Sequence, residues 1–369
     1  MTVYLDYNAS AKLRPQAIDA ALRAMQLGAN ASAVHGPGRA ARAVIEDARD
    51  AVGALVGAVG GAVTFTSGGT EANGLAVHSA IAAGVSRILV LSTEHESVIA
   101  TVQASGLPVQ MWPVDGQGLA DLVWLEQALK ADGRAMVCLA HANSETGVIQ
   151  PIEAVAACAR AADAWLHIDC VQTAGKLSID LKGFDADTLA LSGHKVGGPQ
   201  GAGALVAAAR VNIVRQQHGG GHERGRRAGT ENISGIAGFG AAVQVCDPAK
   251  LAGQAAWRDA AAEKLKAAGA LVMGEGAQRL PQTLSVATPG FESQTQVMSL
   301  DLAGYAVSAG AACSSGKVTG SRVITEMGRP DLANCALRVS GGWDTTEDDW
   351  RGFAAAWLAA HARAARKVA

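Results

Sequence analysis

Residues 164–209 read AWLHIDCVQTAGKLSIDLKGFDADTLALSGHKVGGPQGAGALVAAA, three short apolar runs separated by polar and glycine-rich connections. AWLHID (164–169) ends on Asp169, DTLALS (187–192) runs into Ser192-Gly193-His194-Lys195, and GALVAAA (203–209) follows a glycine-rich turn. Brief apolar runs bounded by turn-forming residues read as buried strands. Upstream the same pattern recurs in AVTFTS (62–67), RILVLS (87–92), PVQMW (108–112) and AMVCLA (135–140). The stretches TEANGLAVHSAIAAG, ESVIATVQASG and PIEAVAACARAA between them read as helices, several closing on glycine. Alternating strands and helices predict an α/β fold, with a mainly parallel seven-stranded sheet covered by helices.

Two further helices are expected before the first of these strands, in RPQAIDAALRAMQLG and GRAARAVIEDARDAVGALVG. A boundary is expected near Cys246–Gly253, where DPAK interrupts a helix-like stretch and QAAWRDAAAEKLKAAG begins a new one. Beyond it, strands such as QTLSVAT and ALRVSGG alternate with helical text. The expected organisation is a large α/β domain over residues 15–250 and a smaller α+β domain from residues 1–14 and 251–369. No repeat of fixed period and no low-complexity linker is visible.

Composition narrows the function. Of 369 residues, 49% are hydrophobic and 17% charged, which is globular rather than disordered. A net charge of −2 gives no general attraction for nucleic acid or anionic lipid, so neither a nucleic-acid nor a membrane role is expected. The six cysteines form no CxxC pair and no zinc-like spacing, which suits a reducing compartment. MTVYLDYNASAKLRP shows no export signal, and the apolar run Ala51–Val63 is too short to span a bilayer. A cytoplasmic location is the expectation. Glycine, at 44 residues, is in excess, while aromatics are only 4%.

Polar clusters directly after strands are where parallel α/β sheets bind ligands. Ser67-Gly68-Gly69-Thr70-Glu71 bares backbone at a helix start, which suits either an anion cradle or an ordinary N-cap with a tight turn. It is not a nucleotide P-loop: GPQGAG lacks the following Lys-Ser/Thr, and Gly316-Lys317 is followed by Val318. Lys195, in an apolar and glycine-rich setting, is either an amine nucleophile made reactive by desolvation or half of a buried ion pair. An imine-forming lysine, a strand-end acid (Asp169) and an anion cradle together suit pyridoxal 5'-phosphate.

The set LDYNAS, FTSGGTEANGLA, TEHESV, HIDCVQTAGKLSID, LSGHKVGGPQGAGAL, GGGHERGRRAGTEN and SAGAACSSGK runs in order from Tyr4 to about Glu347. It strongly resembles the cysteine desulfurases of the class V aminotransferase-like, fold type I, pyridoxal phosphate enzymes. The resemblance implies that Lys195 carries the cofactor, Asp169 pairs with its ring nitrogen, Gln172 donates to its phenolic oxygen and His95 stacks on the ring and shuttles protons. Gly69, Thr70, Ser192 and His194 would hold the phosphate, with Thr230 reaching in from the second subunit of a homodimer. Arg338 resembles the clamp for the substrate carboxylate, its alternative being a surface ion pair.

Cys313 lies in a segment of small residues, whereas Cys138 and Cys158 fall in apolar patterns typical of inert core positions. The resemblance makes Cys313 the nucleophile, in the longer catalytic loop of the iron–sulfur-assembly branch. It implies conversion of L-cysteine to L-alanine, with sulfur passing to Cys313 as a persulfide and then to an acceptor protein for iron–sulfur assembly or another thiolation. Cys170, beside Asp169, receives no role. Ser144 in HANSETG stands where relatives usually have Asn beside cofactor and substrate carboxylate. Ser10-Ala11, Asn30-Ala31-Ser32-Ala33 and Gly341-Gly342-Trp343 also depart from the family pattern, and altered substrate anchoring is expected from them.

Three other readings compete. A selenocysteine lyase or aminotransferase of the same superfamily is one, although a transaminase does not need Cys313. A non-catalytic scaffold is another, supported by Ser144 and the altered turn. A metal hydrolase using His167, Asp169 and His194 is weaker, because alternation along one strand accounts for the first two.

Overall fold

The computed structural model describes residues 2–310 and 320–368. It opens with a short strand, β1 (Val3–Tyr4), and two helices, α1 (Pro15–Leu27) and α2 (Gly36–Leu55). There follow β2 (Val63–Thr66), α3 (Gly69–Ala82), β3 (Arg87–Leu91), α4 (Glu96–Gln103), β4 (Val109–Trp112), α5 (Leu122–Ala128) and β5 (Ala135–Ala140). The chain continues through α6 (Ile152–Ala161), β6 (Trp165–Asp169), β7 (Thr188–Ser192), β8 (Gly203–Ala207) and α7 (Ile233–Gln244).

Strands β2 to β8 form one seven-stranded sheet in the order β2-β8-β7-β6-β5-β3-β4. β4, β3, β5, β6 and β7 pair in parallel, and β8 runs antiparallel to both β7 and β2. The mainly parallel α/β fold expected from residues 62–209 is therefore the observed one. Every strand but the edge strand β4 is buried on both faces, and period-two alternation assigns their side chains to two different cores. Leu89, Leu91, Val137, Leu139, Leu166 and Leu189 face one side, against α2, α6 and α7. Ile88, Val90, Met136, Cys138, Trp165 and Ala190 face the other, against α3 and α4. His167 and Asp169 share the parity of Trp165, so both belong to the α3 face.

The antiparallel β8 has a positional consequence. Its first residue, Gly203, is register partner both to Thr66 at the end of β2 and to Ser192 at the end of β7. Two loops far apart in sequence thereby emerge side by side. A Cβ on Gly203 would lie 2.5 Å from the backbone carbon of Gly68, so the close approach requires glycine.

The rest of the chain comprises α8 (Pro248–Ala252), α9 (Gln254–Ala267), β9 (Leu271–Val272), β10 (Thr283–Ala287), α10 (Ser293–Leu302), β11 (Tyr305–Ala306), β12 (Ser308–Ala309), α11 (Arg322–Glu326), β13 (Ala336–Ser340) and α12 (Glu347–Val368). An antiparallel sheet, β12-β13-β10-β9, packs Leu284, Val286, Leu337 and Val339 against Trp350, Phe353 and Trp357 of α12. β1 pairs in parallel with β11, and Asp6 bridges to Ser340, so the N-terminal segment sits on this second core. The DPAK stretch proves to be a helix start: Asp247 accepts from the Lys250 amide at 2.9 Å and Pro248 opens α8. Among the described residues no helix is long and apolar enough to cross a membrane.

Candidate active site

At the carboxyl ends of β2, β5, β6 and β7 lies a cavity of about 260 Å³. Its anion-friendly end is built by α3. Gly68 supplies no capping side chain, so the first-turn N–H groups of α3 face the cavity without an intrachain cap. Thr66 Oγ1 donates to the Gly68 carbonyl at 2.9 Å, and the Ser67 amide donates to Glu71 Oε2 at 2.7 Å, which fixes the turn. A Cβ on Gly69 would come within 2.8 Å of Val171 Cγ2, so glycine keeps this wall thin. Gly69, Thr70, Ser192 and His194 all line the cavity. Burial, with the charges of Lys195 and Lys176, lowers the His194 pKa to about 4, leaving a neutral imidazole whose Nδ1 pairs with Ser10 Oγ at 3.3 Å.

Asp169, the last residue of β6, lies across the cavity. Its Oδ1 accepts from the Val171 amide at 2.8 Å, and its Oδ2 accepts from Asn73 Nδ2 at 2.9 Å. Asn73 is fully buried on α3, and its Oδ1 meets His167 Nε2 at 3.0 Å. His167 Nδ1 in turn pairs with Thr188 Oγ1 at 2.9 Å. Burial holds His167 near pKa 4 despite the nearby Asp169, so the ring is neutral. With Asn73 Oδ1 as acceptor, the His167 proton sits on Nε2 and Nδ1 accepts the threonine hydroxyl. Both ring nitrogens are thus engaged within the fold, which weighs against the metal-hydrolase reading. Glu94, buried behind the site, has its pKa raised well above the usual range by burial and by the Asp169 charge.

His95 lines the cavity as the N-cap of α4, its Nδ1 accepting from the Ser97 amide at 3.1 Å. Lys195 lies in the short helical turn after β7 and reaches the Asn8 and Ala9 carbonyls at 2.5 and 2.8 Å. Gln172 donates to the Asn8 carbonyl at 3.1 Å and accepts from Lys176 Nζ at 3.3 Å. The segment LDYNAS thereby closes over the lysine. Ser144 completes the wall.

Two expected residues stand apart. Arg338 is buried rather than at the surface; its Nη2 pairs with Asp6 at 2.8 Å and its Nη1 reaches the Ser144 carbonyl at 3.4 Å, directly behind the wall. Thr230 is exposed and does not line the cavity of its own chain. Cys313 lies outside the described residues. The turn Gly341-Gly342-Trp343, expected to alter substrate anchoring, lines a different cavity on the far side of Lys195.

Sequence reading missed Asn73, His167 as its partner, and Glu145. The signal for Asn73 was a short polar residue one turn into a helix, directly before the apolar run Gly74–Val77. Glu145 follows Ser144 and accepts from Ser321 Oγ at 2.5 Å; burial pushes its pKa up to about 7, opposed by Ser321, Arg338 and Arg322.

The groups of the cavity suit one kind of ligand. The α3 start, the Asp169 carboxylate and the Lys195 amine would hold a ligand with an anionic group, a basic ring nitrogen and a carbon open to amine attack. Capping donors, acid and amine are all present, and none needs to be built from elsewhere in the chain.

The chain matches the class-V aminotransferase family over residues 3–351. It is 41% identical to a cysteine desulfurase of Cereibacter sphaeroides over 359 residues, covering 94% of this chain and 92% of that protein. It is 37% identical to the cysteine desulfurase IscS of Anaeromyxobacter sp., covering 94% and 89% of the two chains. Among solved structures, a NifS-like protein from Rickettsia africae superposes with a TM-score of 0.90 at 29% identity, covering 98% of this chain and all of that one. A second, SspA in complex with cysteine, superposes with a TM-score of 0.81 at 29% identity and covers 92% and 98% of the two chains. Motifs, sheet order and relatives agree: the chain belongs to the class-V aminotransferase family, among its cysteine desulfurases.

Proposed function

We propose that this cysteine desulfurase binds pyridoxal 5'-phosphate in the cavity at the strand ends and converts L-cysteine to L-alanine. The observation that carries the reading is the meeting of Lys195, Asp169, His95 and the uncapped start of α3 around one cavity. Bound there, pyridoxal phosphate supplies an electrophilic carbon for amines and a sink for electrons.

The chain's own residues divide the remaining work. Gly69, Thr70, Ser192 and neutral His194 hold the phosphate. Asp169, fixed by two hydrogen bonds, receives the ring nitrogen. Lys195 Nζ takes the Cα proton of the substrate. His95, with Nδ1 accepting from Ser97, carries its proton on Nε2 when neutral and hands it on at the cavity face. Ser144 and Arg338 receive the substrate carboxylate, Arg338 exchanging Asp6 for it. Gln172 turns its amide from Asn8 to the cofactor's phenolic oxygen. Cys313 attacks the substrate sulfur; the carbon–sulfur bond breaks, a sulfur–sulfur bond forms, and one thiol and cysteine give one persulfide and alanine. An acceptor protein then takes the sulfur, in iron–sulfur assembly or another thiolation.

Thr230, exposed in the single chain, completes the phosphate site of a second subunit, so the working form is a homodimer in the cytoplasm. Purified protein is expected to carry a visible-absorbing chromophore and to release alanine and, with a reductant, sulfide from L-cysteine. Lys195→Ala should lose the chromophore, and Cys313→Ser should keep it while sulfide release stops. Sulfide release undiminished in Cys313→Ser would overturn the persulfide step, and a colourless protein that fails to bind added pyridoxal phosphate would overturn the whole reading.

A further inference from the structure

Lys195 lines two cavities. Behind the one described lies another of about 280 Å³, whose walls include Arg14, Lys176, Cys246, Trp257 and Trp343. Lys176 is buried, and its hydrogen bond is to a neutral amide oxygen, Gln172 Oε1, at 3.3 Å. Among the described residues no carboxylate pairs with it. Burial and the neighbouring Lys195 charge pull its pKa down to about 7. A buried ammonium without an acid is costly, and an anion entering the cavity would relieve both causes.

The other charges around the cavity reinforce this polarity. Arg14 donates to the carbonyls of Val196 and Val245 at 2.9 and 3.1 Å, and its guanidinium lies 5.5 Å from the Trp343 ring. It too has no carboxylate partner among the described residues. Lys250 joins Arg14, Lys176 and Lys195 on the lining, at the exposed rim. Among the described residues the one acid on the lining, Asp247, is exposed and is engaged as the α8 cap. Two indoles, Trp257 and Trp343, and the aliphatic side chains of Val196, Val245 and Leu251 supply apolar wall. The turn that departs from the family pattern shapes the opening: a Cβ on Gly342 would lie 1.9 Å from the Tyr7 ring, so only glycine lets the turn sit this close.

We propose that this second cavity is a binding site for a small organic monocarboxylate, with Lys176 as its counter-ion and the indoles as its apolar wall. A single buried ammonium within a mixed apolar lining matches one negative charge on a hydrocarbon body better than a multiply charged inorganic oxyanion. The site adjoins the cofactor cavity through Lys195 and through the Lys176 to Gln172 hydrogen bond.

Isothermal titration of the purified dimeric holoenzyme with propionate tests this. Saturable binding is expected, weakened about tenfold or more in Lys176→Met by loss of the charged hydrogen bond, and retained within a few-fold in Lys176→Arg. Cys246→Met, which enlarges a wall residue, should also weaken binding, and it carries the test if Lys176→Met fails to fold. Arg338→Gln should leave propionate binding unchanged. Binding abolished by Arg338→Gln but unaffected by Lys176→Met and Cys246→Met would place the carboxylate in the substrate site and overturn the proposal. Saturable binding of inorganic phosphate without propionate would overturn the ligand class, and binding of neither would overturn the site. None of these readouts depends on turnover, so failure here is separable from failure of the desulfurase reading.

Discussion

Asn73 Nδ2 donates to Asp169 Oδ2 at 2.9 Å, so a helix residue holds the strand-end acid in place from behind. The other end of the same amide is held by His167, whose Nε2 lies 3.0 Å from Asn73 Oδ1. The orientation of the Asp169 carboxylate is therefore set by a relay reaching Thr188 on the next strand. Such a relay is worth most when every member is satisfied.

Breaking it gives the first prediction. Asn73→Ala leaves Asp169 Oδ2 and His167 Nε2 without their buried partner, and the cost should be about 1–3 kcal/mol of stability. The variant should also hold pyridoxal phosphate more weakly. Chemical denaturation and equilibrium dialysis measure the two effects, and wild-type values in both would show that the relay does not position Asp169.

Glu145 should make stability depend on pH. Its pKa is raised to about 7, so the folded chain binds its proton more tightly than the unfolded chain does. That contribution is fully present below the unfolded carboxyl range and is lost as pH rises through about 7. Glu145→Gln, which keeps an acceptor for Ser321, should therefore gain on wild type between pH 5 and pH 8.5, by up to about 3 kcal/mol. Paired melting curves at the two pH values check this; a pH-independent difference would contradict it.

Gly69→Ala should impair cofactor retention more than folding. Its Cβ would lie 2.8 Å from Val171 Cγ2, with Ser192 Cβ in ordinary contact at 3.7 Å, and the α3 start it displaces is the proposed phosphate end of the cavity. A several-fold rise in the dissociation constant for pyridoxal phosphate, with a melting shift of a few degrees, is expected. Spectroscopic titration of the stripped protein reads the first effect.

The proposed completion of the site by Thr230 of a second subunit predicts complementation. When Lys195→Ala and Thr230→Val chains are unfolded and refolded together, mixed dimers should contain one site with both native residues. Alanine production should exceed that of either parent refolded alone. Activity equal to the average of the parents would place Thr230 outside the partner's site.

Much of this was legible in the amino-acid text. The inner strands of the large sheet were readable because strands buried on both faces are nearly unbroken apolar runs, with Asp169 at the end of one and Lys195 in the turn after another. α12 was not assigned, although Trp350, Phe353 and Trp357 follow a helical spacing. Asn73 escaped notice because a buried amide has no signature of its own; its meaning comes from Asp169 and His167, distant in sequence. The fate of Gly341-Gly342-Trp343 was equally hidden. Proximity to Arg338 in sequence suggested the substrate pocket, whereas the chain reverses after β13 and delivers the turn to the opposite side of Lys195.

The contact between Gly203 and Gly68 sets a limit on how this protein can diverge. Backbone touches backbone there, with no side chain to shrink or swap, so the distance between the α3 start and the Lys195 turn is a constant of the peptide chain itself. Selection for a new substrate would consequently find its freedom at the opposite rim, around Ser144 and Arg338, while the span from the α3 start to the Lys195 turn stays the same length.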